Sequence, residues 1–214
     1  VEFLHCIEQK MKTFRIHNLT FGYSTEPLFE GWTANIPTGV VLVRCDDSRG
    51  KTSLLKLFAG VLNPQAGQLS LDGVTSTDAP DQYRAGIFYI DPTTDAFEQT
   101  TVKDFFARCK ETHAAFDESM LQSLIEGLAL TPHLDKPLYM LSAGSKRKVW
   151  IAAALASKAR LALIDDLTAA LDRASIDFLT KQLIALADNT PDRTLIVAHY
   201  DTLAGVPFSH IIDI

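Results

Sequence analysis

The sequence predicts an α/β protein built on a largely parallel sheet with crossover helices, and three observations carry that prediction. Short apolar runs alternate with helix-patterned stretches along most of the chain, the order that parallel strands joined by crossover helices require. The runs are rich in Val, Ile and Leu, as strands buried on both faces are. The 214 residues include 47% hydrophobic and 21% charged side chains. That balance supplies one sizeable core and excludes disordered, collagen-like and disulfide-stapled chains.

Taken in order, strands are predicted at Phe14–Leu19, Val40–Arg44, Gln68–Leu71, Gly86–Ile90, Leu161–Asp165, Thr194–Ala198 and His210–Ile214. Helices are predicted at Thr52–Ala59, Glu118–Leu128, Ala143–Ala156 and Ser175–Leu186. Asp172 or Ser175 would cap the last, because a short oxygen-bearing side chain satisfies free N–H groups at a helix start. Residues from about 91 to 140 break the alternation. They carry Phe105, Phe106, Phe116 and Leu121 on helix-like spacings and no strand pattern, so they read as a helical insertion within one domain of residues 11–214. The proline-bearing bends Leu62–Gly67 and Ala129–Pro137 read as connections. Met11 opens MKTFRIHNLTFGY, a plausible domain start, and residues 1–10 are read as an extension without signal-peptide features.

Twenty Lys plus Arg against twenty-six Asp plus Glu give a net charge of -6, which argues against a broad nucleic-acid-binding face. Cys6, Cys45 and Cys109 show no CxxC pairing, the pattern of reduced thiols in a cytosolic protein. No apolar run approaches the ~20 residues that span a bilayer, so a membrane link would go through a partner.

Four local patterns carry chemistry. Gly50-Lys51-Thr52 follows the Val40–Arg44 strand and opens a helix. There, backbone N–H groups and a helix N-terminus would face a phosphate, Lys51 would add a point charge, and Thr52 a hydroxyl for Mg²⁺. The triplet alone is weak; its place between strand and helix gives it weight. Arg160-Leu-Ala-Leu-Ile-Asp165-Asp166 is an apolar strand ending in two carboxylates, suited to a metal and an attacking water, or simply an acidic turn. Leu141-Ser142-Ala143-Gly144-Ser145 precedes a helix and reads equally as a serine cap. His199 ends the strand TLIVAH; by itself a strand-end histidine is more often structural than catalytic.

Together, in this order and spacing, these patterns resemble the nucleotide-binding subunit of ATP-binding cassette (ABC) transporters over nearly all of residues 12–214. The resemblance implies a P-loop NTPase ABC-ATPase core with a helical insertion and an N-terminal β-rich part. It makes Tyr23 the aromatic that stacks on adenine, and Cys45–Thr52 (Cys45, Asp46, Asp47, Ser48, Arg49, Gly50, Lys51, Thr52), with Ser53 following, the Walker A loop. Asp91 falls at the glutamine loop and LSAGS at the signature motif. Ala162–Asp166 fall at Walker B, Ala169–Asp172 at the D-loop, and His199 at the switch histidine. The short insertion and LSAG resemble small bacterial subunits of haem-exporter type.

The chain departs from the family pattern at several of these positions. Cys45 and Ser48 stand where GxxGxGK[ST] has its first two glycines. If both kept that geometry, the strain would be roughly 1–3 kcal/mol each. Asp46 and Asp47 add negative charge beside the anion site, and Arg49 offsets one of them. Asp166 replaces glutamate, shortening the base by about 1.5 Å, and a misplacement of that order costs ~10²-fold in rate. Asp91 replaces glutamine, a change that would give Mg²⁺ a direct carboxylate ligand; Gln99 is the other candidate for that position. Ala143 and Ser145 replace glycine and glutamine in the signature.

The resemblance implies two such subunits, identical or different, meeting head to tail, each phosphate loop facing the partner's Ser142 and Gly144. ATP and Mg²⁺ would be held by Lys51, Thr52, Asp165 and Asp91, with Asp166 polarising water and His199 contacting the γ-phosphate. A transmembrane permease would hold the assembly on the inner face of the cell membrane. Phe97, Phe105 and Phe106 are candidates for docking it, or for core packing. The competing reading is a degenerate cassette that binds nucleotide weakly in a regulatory or structural role. A soluble cassette acting in translation or DNA repair fits the acidic charge less well.

Overall fold

The structure, a computed structural model, describes residues 14–23, 26–45, 50–189 and 192–214. The expected extension at residues 1–10, and Asp46, Asp47, Ser48 and Arg49 of the phosphate loop, lie outside the described residues. The elements run β1 Phe14–Phe21, β2 Phe29–Ile36, β3 Gly39–Arg44, α1 Lys51–Phe58, β4 Ala66–Leu71, β5 Val74–Thr75, α2 Pro80–Ala85 and β6 Ile87–Tyr89. Then follow α3 Val102–Thr112, α4 Glu118–Gly127, α5 Ala143–Ala156, β7 Leu161–Ile164, α6 Arg173–Asn189, β8 Thr194–His199 and β9 His210–Asp213.

Five strands form a parallel sheet in the order β6-β7-β8-β3-β9, and four form an antiparallel sheet in the order β2-β1-β4-β5. Alternation along the parallel strands sorts side chains onto two cores, because successive residues point to opposite faces. Val41, Val43, Leu161, Leu163, Ile196 and Ala198 face α1 and the antiparallel sheet. Val40, Ala162, Ile164, Leu195 and Val197 face α3 to α6. Strands buried on both sides explain why these runs read as continuously apolar.

Phe58 of α1 meets Phe14 edge-on at 4.8 Å between centroids and Trp32 at 6.1 Å, which fixes the helix against the small sheet. On the other side, Trp150 of α5 packs on Phe105 at 4.9 Å and Phe97 at 6.1 Å. Capping follows the sequence. Asp172 Oδ1 accepts from Ser175 N at 2.8 Å ahead of α6, and Thr101 and Asp117 cap α3 and α4 in the same way.

Three expectations change. Residues 29–36 form a strand that the sequence patterns did not suggest, and β5 and α2 were likewise unforeseen. Phe105 and Phe106 are buried and Phe97 packs against the same cluster, so their surface is consumed by the core rather than offered for docking. Cys45 is not among the described residues with positive φ, so it does not carry the left-handed strain expected of a side chain on a glycine's backbone.

Candidate functional site

The site lies at the C-terminal end of β3, where strand connections diverge. The chain leaves β3 toward β6 at one edge, whereas β8 connects to β9 at the other; such a reversal opens a crevice outside the strand ends. Gly50 closes the phosphate loop as the N-cap of α1 with φ 96° and ψ -28°. A Cβ there would have ordinary room, 3.5 Å from its nearest neighbour. Backbone conformation, not space, therefore calls for glycine.

From that turn, α1 aims its first residues into the crevice. Lys51 Nζ donates to the Cys45 carbonyl at 2.8 Å, spanning the loop. Thr52 Oγ1 donates to Asp165 Oδ2 at 2.7 Å, and Ser53 Oγ shares a 3.0 Å hydrogen bond with the Tyr23 hydroxyl. Tyr23 is otherwise open, 71% exposed, with its ring edge-on to Phe21. One helical turn beyond Thr52, Lys56 Nζ pairs with Asp91 Oδ2 at 2.7 Å, the i,i+4 spacing that stacks side chains on one helix face. Tyr89 pairs in register with Leu163, so Asp91 and Asp165, each two residues on, follow them at the ends of neighbouring strands.

The two carboxylates differ in electrostatic character. Burial raises the Asp165 carboxyl above its ordinary range, the Thr52 hydrogen bond opposing and the Asp166 charge adding. Burial also pushes Asp91 upward, but Lys56 and the Thr93 hydroxyl and N–H together hold it below the ordinary value. The Lys56 ammonium is correspondingly raised, chiefly by its hydrogen bond to Asp91.

Asp166 has φ 50°, a left-handed conformation uncommon outside glycine. Arg147, from the first turns of α5, holds this bend: its Nη1 donates to the Asp165 carbonyl at 3.0 Å and to the Asp166 carbonyl. His199 is buried at 4% exposure. Its Nδ1 lies 2.7 Å from the Asp201 carbonyl and 3.2 Å from the Asp201 N–H, and its Nε2 shares a 2.7 Å hydrogen bond with Thr168 Oγ1. Tyr200 stacks on the imidazole at 4.2 Å.

Lys51, Thr52, Asp165, Asp166 and His199 line one cavity of about 320 Å³, with Pro92, Arg147 and Tyr200. Ser142 and Gly144 do not line it. Ser142 Oγ caps its own helix, accepting from Ser145 N at 3.2 Å. Gly144 is buried: a Cβ there would stand 2.2 Å from the Ala170 carbonyl. Lys148 ties the same helix to Asp172 at 2.7 Å. Sequence reasoning passed over Lys56, Arg147 and Thr168. Only Lys56 was signalled, by its spacing from Thr52.

The donor set suits a hard cation. Thr52 and Asp165 present two oxygens within hydrogen-bond distance at the mouth of a phosphate loop, and Mg²⁺ takes such ligands while sharing substrate phosphates. No group of three or more His, Cys, Asp or Glu residues able to hold a metal occurs among the described residues.

Strand, glycine-closed loop, helix and paired carboxylates define a phosphate-loop nucleotide-binding protein. The ABC transporter family matches residues 47–169, more than half of the sequence, and the chain belongs to that family. It is 34% identical to the cytochrome c biogenesis ATP-binding export protein CcmA of Rhodospirillum rubrum, over 79% of this chain and 72% of that protein. It is 26% identical to the zinc uptake system ATP-binding protein ZurA of Listeria monocytogenes, over 95% and 82%. A solved ATP-binding subunit of an ABC transporter shares the fold with TM-score 0.75 and 22% identity, over 88% of this chain and 80% of that one. The family match favours an ATP-binding transport subunit over a degenerate cassette.

Proposed function

We propose that this chain binds Mg²⁺–ATP at the β3–α1 loop and hydrolyses it within a head-to-tail pair of cassettes coupled to a membrane permease. The gathering of Lys51, Thr52, Asp165, Asp166 and His199 around one cavity carries the reading. Mg²⁺ would neutralise charge on the β- and γ-phosphates. Lys51 exchanges the Cys45 carbonyl for phosphate oxygens, and Ser53 gives up Tyr23, leaving that aromatic face for the adenine. Thr52 and Asp165 hold the metal. Asp91 joins them only after leaving Lys56 and Thr93, which engage both of its oxygens. Asp166 orients water and His199 turns from Thr168 to the γ-phosphate. Phosphoryl transfer depends chiefly on positioning and charge stabilisation, so these exchanges set the rate.

The partner cassette, identical or different, supplies its Ser142 helix end to the phosphates. The polar rim formed by Arg108, Glu111 and His113 beside a groove of about 410 Å³ between β6 and α3 is the permease-facing surface in this proposal. It lies in the helical insertion of about 91–140 within the single domain 11–214. No helix among the described residues is long and apolar enough to cross a membrane, and attachment to the inner face of the cell membrane would pass through the permease.

Binding and turnover of Mg²⁺–ATP by the purified protein, beside Lys51→Ala and Asp166→Asn, test the reading. Lys51→Ala is expected to abolish binding, and Asp166→Asn to bind without turnover. Turnover indifferent to Lys51→Ala removes the site.

A further inference from the structure

The polar groups of the site satisfy one another almost throughout. Lys51 has the Cys45 carbonyl, Thr52 has Asp165, Ser53 has Tyr23, Asp91 has Lys56, and His199 has Thr168. One group is left over. The Tyr89 hydroxyl is the single buried side-chain oxygen or nitrogen among the described residues with no hydrogen-bond partner. An orphaned buried hydroxyl is a standing cost, and phenylalanine would fill the same space without it.

Its location is informative. Tyr89 is the last residue of β6, and its ring packs on the core beneath α1. Asp91 lies two residues beyond it, and Leu163, the register partner of Tyr89, lies two residues before Asp165. Tyr89 therefore sits on the strand ends that lead to the two carboxylates held by Thr52 and Lys56. An ionised carboxylate can only accept, so the phenol is the member of the group that can donate.

We infer that Tyr89 is a positioning residue whose hydroxyl donates to the Asp91–Asp165 carboxylate pair once metal and nucleotide have drawn Thr52 and Lys56 away from it. The inference rests on the proposed Mg²⁺–ATP site. A carboxylate that loses one donor to a ligand needs another to hold its orientation, and the Tyr89 hydroxyl is the one buried side-chain oxygen or nitrogen without a partner among the described residues. The unpartnered hydroxyl costs stability in the structure described, and the donated bond would steady the carboxylates when nucleotide is bound.

The test is Tyr89→Phe in the full chain, with three readouts: melting temperature of the nucleotide-free protein, and affinity for a non-hydrolysable ATP analogue with Mg²⁺ and with EDTA. The variant is expected to melt at the same temperature as the parent or about 2–4 °C higher. Its Mg²⁺-dependent affinity is expected to fall about tenfold, as for loss of a charge-assisted hydrogen bond, with the EDTA affinity within about twofold of the parent. Unchanged Mg²⁺-dependent affinity overturns the inference. So does a lowered melting temperature with both affinities falling together, the mark of a packing role. If the parent itself shows no Mg²⁺-dependent binding, the site fails first, and this inference with it.

Discussion

Gly144→Ala is expected to destabilise the isolated chain, not merely to weaken a nucleotide contact. The added Cβ would lie 2.2 Å from the Ala170 carbonyl oxygen, where real Cβ atoms stay beyond 3.0 Å. Backbone must therefore separate by at least about 0.8 Å. The yielding segment is poorly placed to give. Ala170 is held at φ 60°, Asp172 is tied to Lys148, and Thr168 is bonded to His199. Overpacking of this kind costs about 1–3 kcal/mol. At about 2–4 °C per kcal/mol for a chain this long, the melting temperature falls by about 2–12 °C. Thermal unfolding of nucleotide-free protein reads the effect, with Ala143→Gly at the exposed neighbouring position as the control, expected to cost at most about 1 kcal/mol. A Gly144→Ala protein melting within about 1 °C of the parent would refute the close approach and leave only the intermolecular role.

Three further outcomes follow from the same geometry. Because burial raises Asp165, its share of the empty protein's stability is full while protonated and declines as pH rises from the ordinary carboxylate value through the raised one. Mg²⁺-dependent nucleotide affinity runs the other way, weakening on acidification through that raised value; a flat titration of analogue affinity would contradict it. Arg147→Ala leaves the Asp165 and Asp166 carbonyls without their donor. It should cost about 1–3 kcal/mol in denaturant melts and depress turnover more than nucleotide affinity. Trp150→Ala opens a void among Phe97 and Phe105 and should cost about 3–5 kcal/mol in the same assay.

The parallel sheet was legible because its strands are buried on both faces, so burial left an unbroken apolar trace at Leu161–Ile164 and Thr194–His199. β2 left none. It is an edge strand with a largely exposed pattern, a glycine at φ 60° and register irregularities against β1, and FEGWTANI has neither clean alternation nor turn punctuation. The chemical residues were legible by type and order, since a phosphate loop demands lysine and hydroxyl beside glycine. What each does without ligand was not. Lys56 engaging Asp91, and Thr168 engaging His199, are tertiary pairings between elements that local spacing does not connect. Phe105 and Phe106 carried the opposite difficulty, since an aromatic pair reads alike as a sticky surface and as an interior.

The end of β9 is stitched to both margins of the phosphate loop. Asp213 pairs with Arg44 at 2.7 Å, Ile214 N donates to the Arg44 carbonyl at 3.0 Å, and the Ile214 side chain lies beside Gly50. A fluorophore attached at Ile214 would therefore act as a strain gauge for the β3–α1 turn. It would report loop rearrangement without a probe inside the pocket. By the same linkage, any modification at Ile214 should be checked first for its effect on nucleotide affinity.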